Sequence, residues 1–203
     1  MSPFELVFAV FGLLLGLAIA EVLGGFSRTL KLKRGSRAIK VGWLTPLLGV
    51  LVVLDLTSFW LMAWEARDQI AANYITLVYV LALVGVYYLA ATLIFPDEPE
   101  EWPDFNHWYD KQNHLVIGGL LTANIGAWIG QIALEFAAPV EAAAESEATL
   151  TTTDLAYMGS ALALIILLIA LLRVKSRGWN IAMLSAAIVM LLATGILDAW
   201  VVA

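Results

Sequence analysis

An all-α, polytopic membrane helix bundle of about six transmembrane spans is the fold this sequence predicts, on three observations. The composition is 62% hydrophobic and 14% charged, with a mean hydropathy of +0.87, against roughly 45–50% apolar and 25% charged in soluble domains. Apolar stretches recur at residues 3–26, 41–64, 74–95, 115–137, 155–173 and 181–201, each near the ~20 residues that cross a hydrocarbon core. The segments between them alternate in charge. Of the eleven Lys and Arg residues, ten fall in the first, third and fifth connections, and Arg67 alone falls on the other side. The positive-inside rule then puts those connections in the cytoplasm and both termini outside, in an inner membrane. A single transmembrane domain over 1–203 is expected, with no room for a separate extramembrane domain.

The first span carries Gly12, Gly16, Ala20 and Gly24 at strict four-residue spacing, a smooth face for close helix approach. Packing within the chain is the expected use, with a homo-oligomer as the other. Ala18-Ile19-Ala20 mimics a cleavage site, but the leading tail has Glu5 and no basic residue, so a retained span is expected. Glu21 stands near the cytoplasmic end, two turns before Arg28, and pairing with that arginine is favoured over a place on an ion path. The polybasic run that follows would attract anionic lipid of the bilayer.

The second span contains Asp55, about 21 Å along the helix by rise, with Ser58 on the same face. A charged group there costs about 2.5–3.5 kcal/mol on insertion scales, so an intramembrane carboxylate is a functional candidate by default. The alternative is a carboxyl hydrogen-bonded to a neighbouring helix. In the third span, Tyr87 and Tyr88 are assigned to packing.

Segment 96–114 reads as an acidic cytoplasmic loop, kept extended at its start by Pro96, Pro99 and Pro103. His107, Asp110 and His114 would share a face on a helix, the residue types of a two-histidine, one-carboxylate metal site. A metal ion is the one cofactor the sequence suggests. The simpler reading is an interfacial segment with Trp102, Trp108 and Tyr109 at the headgroups.

The fourth span has a polar line, Asn124, Trp128, Gln131 and Glu135, at i, i+4, i+7 and i+11. His114 is expected to extend it through Ile117 and Leu121. Gly126 and Gly130 add a second small-residue face. Segment 138–154 is an outer loop, and Asp198 near the end of the sixth span is expected to be solvated.

Cysteine is absent, which excludes disulfides, thiolate metal sites and cysteine nucleophiles. No phosphate-binding loop, nucleophile elbow or H-E-x-x-H helix occurs, so an enzyme is not the expectation, and no basic reading element suggests nucleic acid. The leading expectation is a small channel or proton- or ion-coupled transporter, with Asp55, Ser58, Asn124, Gln131, Glu135 and Glu21 as its pathway. The alternatives are a non-catalytic membrane subunit or assembly factor that binds a protein partner, and a metal-binding sensor or enzyme.

Overall fold

The computed structural model describes residues 3–34, 39–71, 73–137 and 152–202. Most of segment 138–154, Arg37, and the side chains of Glu5, Asp154 and Asp198 lie outside the described residues. The helices are α1 (Pro3–Arg34), α2 (Leu44–Glu65), α3 (Tyr74–Thr92), α4 (Phe105–Ala137), α5 (Thr152–Arg173) and α6 (Arg177–Val202). Among the described residues six helices are long and apolar enough to cross a membrane, and the chain is an integral membrane helix bundle.

Two helices outrun the apolar stretches by two turns or more. The first continues through the basic run to Arg34, and the fourth starts at Phe105, inside the segment read as a loop. At ~1.5 Å per residue both exceed the ~30 Å of a bilayer core. Hydropathy marks where lipid is, and helix continues wherever one face finds a bundle to pack on. Phe105 and Tyr109, one helical turn apart, are buried while His107 and Asp110 face outward, so a packed face carries α4 through a polar stretch.

Packing follows a ring, α1 to α3 to α4 to α5 to α6 to α2 and back to α1, with α2 and α4 also in contact across its middle. That cross-contact divides the bundle into two compartments with α2 and α4 as their common wall. Glycines allow the closest approaches. Gly25 on α1 lies against the Phe95 ring, Gly49 on α2 against Phe26, and Gly119, Gly126 and Gly130 on α4 against Ala90, Leu83 and Tyr79 of α3. The fourth-span pair therefore packs within the chain. On α1, Gly12 meets Trp60, whereas Gly16 has nothing within 4 Å and Ala20 is exposed.

The end of the bundle that carries the basic residues is tied across its connections. Lys40 N–H donates to Pro103 O at 2.9 Å, and Phe105 N–H returns a bond to Lys40 O at 3.0 Å. The Lys40 ammonium lies 3.6 Å from Asp104, whose Oδ1 caps α4 by accepting from Asn106 N–H at 2.8 Å. Gly42 takes φ +63° directly against Asn106, a turn closed to a side chain for both reasons. Trp108 donates its indole N–H to the carbonyls of Leu93 and Ile94, just past the end of α3.

Candidate functional site

Asp55 sits at the middle of α2 and is 2% exposed. A carboxyl in that position needs donors, and α3 and α4 supply them. Tyr87 donates its hydroxyl to Asp55 Oδ2 at 3.0 Å, and Asn124 Nδ2 donates to the same oxygen at 2.9 Å. The Asn124 amide is oriented by its own helix, because Nδ2 also reaches Leu120 O one turn back at 2.9 Å. Its other close neighbour is the Tyr87 oxygen at 3.4 Å. Two donors on one oxygen is the geometry of charge-assisted hydrogen bonding to a carboxylate.

Asp55 forms the floor of a cavity of about 350 Å³ in the α2, α4, α5 and α6 compartment. Ser58, Asn124, Trp128, Gln131 and Glu135 line it, joined by Tyr157 and Ser160 from α5 and Thr194 from α6. Gln131 and Glu135 also border a smaller recess of about 170 Å³ with Glu65 and Gln69, at the end of the bundle away from the basic residues. By helical rise Asn124 to Glu135 spans about 16 Å. Polar side chains of α4 thus extend from that end to the carboxylate.

Toward the basic end the polar lining stops. Val52 on α2, Ile117 and Leu120 on α4, Leu168 on α5, and Leu184 and Ala187 on α6 are all completely buried. This apolar septum fills the compartment on the other side of Asp55. The neighbouring compartment holds a separate cavity of about 300 Å³, walled by Phe8, Phe11, Val80 and Leu83 among others and almost wholly apolar. Phe59, Met62, Ala127 and Gln131 border both cavities.

No protein-family model matches this chain, and no curated protein or solved structure is significantly similar to it. Its own residues carry the functional reading.

The structure brings together Asp55, Ser58, Asn124, Gln131 and Glu135, five of the six residues expected on a pathway. Ser58 lines the cavity while its hydroxyl donates to Leu54 O at 3.1 Å. Glu21 is elsewhere, accepting from Arg28 at 3.0 Å, because one cation two turns away satisfies it locally. His114 is exposed and off the polar line. The face that carries Asn124 passes through Leu120 and Ile117 to the buried Asn113, since eleven residues return a helix to the same side.

His107, Asp110 and His114 all lie on the exposed side of α4, and Asp110 is engaged by Arg177 of α6. Among the described residues no three His, Cys, Asp or Glu side chains gather closely enough to hold a metal ion. Shared helical face brings the three to one side, but no second element closes on them with further ligands.

Tyr87 is the functional residue that sequence reasoning assigned to packing. A tyrosine in mid-span must find a partner for its hydroxyl when buried, and that requirement pairs with the unmet need of an acid in the preceding span.

Proposed function

We propose that this protein is a proton- or ion-coupled transporter in which Asp55 receives the coupling ion from the outer side of the membrane. The observation that carries the reading is the position of Asp55: at the floor of a cavity whose mainly apolar wall carries a line of polar side chains, held by Tyr87 and Asn124, with an apolar septum beyond it. The concentration of basic residues at the septum end makes that end cytoplasmic under the positive-inside rule. The cavity then faces outward.

A route closed on one side of a central carboxylate favours a carrier that alternates its access over an open pore. Carriers of this kind place coupling sites near the bilayer midplane and expose them to one side at a time. The carboxylate with two directed donors suits a proton or a small cation, since each can occupy the site without leaving the acid unpaired. Glu135 and Glu65, near the outer recess, add negative charge where a cation would enter.

The experiment is flux of protons and monovalent cations into liposomes holding purified wild type or Asp55→Asn, with folding checked by circular dichroism. Flux in wild type and none in the folded variant is the expected result. Equal flux in both would remove Asp55 from the route. No wild-type flux over a range of pH and voltage would turn the assignment to a partner-binding membrane subunit.

A further inference from the structure

The line that runs through Asp55 and Asn124 ends in a second polar group on the far side of the septum. Tyr109 and Asn180 are each 2% exposed and Asn113 is 8% exposed. The side chains of Asn113 and Asn180 face the Tyr109 hydroxyl. Within the protein, Asn113 Oδ1 and Asn180 Oδ1 have no hydrogen-bond partner, and the Tyr109 hydroxyl has none of good geometry beyond the approach of those two amides. Buried polar atoms are almost always satisfied, by protein or by ordered water.

The placement is shared by two helices. On α4, Asn113 and Asn124 lie on one face with Ile117 and Leu120 between them. On α6, Asn180 and Thr194 lie on one face with Leu184, Ala187 and Leu191 between them. Each helix thus reads polar, apolar, polar along the side turned to the same compartment. Asn113 lies about 16 Å from Asn124 by helical rise, toward the cytoplasmic end.

We propose that Tyr109, Asn113 and Asn180 enclose bound water and form the inner station of the route whose outer station is Asp55. The assignment of water follows from the chemistry of the group. Two amide oxygens that only accept, beside a phenolic hydroxyl that both donates and accepts, are met by a molecule that does both, and buried waters typically make about three hydrogen bonds to such groups. Among the described residues no carboxylate belongs to the chamber to balance a bare cation, because the nearby Asp110 is exposed and paired with Arg177. The role as a station rests on the transport reading; the presence of water does not.

Hydroxyl radicals made by X-ray radiolysis of bound water modify adjacent side chains, and mass spectrometry of the intact, reconstituted protein reads the product. Tyr109 is expected to be oxidised well above Phe105, which is fully buried one turn away on the same helix. In the pair Asn113→Leu and Asn180→Leu its oxidation is expected to fall to the Phe105 level, with flux lost. The pair Asn113→Ser and Asn180→Ser keeps polar groups in place and is expected to retain labelling, so the test survives if the leucine pair does not fold. An unlabelled Tyr109 in wild type overturns the water chamber. Unchanged flux in a folded, unlabelled leucine variant overturns its place on the route. Absence of flux in wild type removes the transport reading alone, and the labelling still decides whether the chamber holds water.

Discussion

The hydroxyl of Tyr87 donates to Asp55 across 3.0 Å from a helix whose backbone touches α2 only lightly. The long tyrosine side chain makes that link where the backbones do not. Its ring is held by Phe59, with centroids 5.2 Å apart, so the hydroxyl is aimed by packing.

Tyr87→Phe keeps the ring and removes only the donor. A hydrogen bond to a charged group contributes about 1.5–3 kcal/mol, so the half-saturation concentration for the coupling ion is expected to shift by roughly tenfold or more, with folding intact. Asn124→Leu removes the second donor and is expected to shift it in the same direction. Unchanged transport kinetics in both variants would leave the two side chains with a packing role only.

The chain contains no cysteine, so single-cysteine variants report without background. Ser58→Cys and Gln131→Cys are expected to react with a membrane-impermeant thiol reagent added outside. Ile117→Cys, in the septum, is expected to resist the reagent from either side in the outward-open state. Rapid modification of Ile117→Cys would mean that the septum is hydrated.

The glycines differ sharply in what they tolerate. Gly25→Ala would drive a methyl into the Phe95 ring, while Gly16→Ala meets nothing within 4 Å. Overpacking of this kind typically costs about 1–3 kcal/mol, so Gly25→Ala is expected to lower stability against detergent unfolding and Gly16→Ala to leave it unchanged or slightly raised. Gly126→Ala should fall between them, because it meets the far end of the Leu83 side chain. Equal stability of all three variants would contradict the close approach of α1 to Phe95 and of α4 to Leu83.

Acid should loosen the junction at the start of α4. Burial works against the Asp104 carboxylate, but the Asn106 backbone N–H, the Lys40 ammonium, the Asn106 side chain and His107 outweigh it and hold its pKa below the ordinary 3.8. A group lowered on folding stabilises the fold above its unfolded value, and that contribution is lost as pH falls through the folded value. Asp104→Ala removes a helix cap, which typically costs about 1 kcal/mol. Unfolding curves are expected to show this gap at neutral pH, and to show it closing below about pH 3.8 as the wild-type carboxylate takes up its proton.

Much of the site can be read from residue order. Asp55 is conspicuous as an acid inside an apolar stretch, and the spacing of Asn124, Gln131 and Glu135 gives one helical face. The identity of the helices around that face is not readable, because no local signal says that α5 and α6 supply Tyr157, Ser160 and Thr194. Hydropathy also fails at the end that carries the basic residues. His107, Asp110 and His114 drew attention as chemical types, yet the buried line of α4 passes through Tyr109 and Asn113, and only packing decides which side faces inward. The small-residue faces were partly informative: Gly126 and Gly130 meet α3 closely, while the closest approach of α1 uses Gly25, one residue beyond the regular series.

Asp55, Tyr87 and Asn124 all come from α2, α3 and α4, in chain order. In chain order the acid's span therefore precedes both of its donors, and alone it would carry a cost of about 2.5–3.5 kcal/mol. Tyr87 comes with the next helix and Asn124 with the one after, so insertion in chain order would supply both donors ahead of α5 and α6. The last two helices then enclose a site whose hydrogen bonds are already in place, and errors in biogenesis at this site should arise while α2 waits for α4.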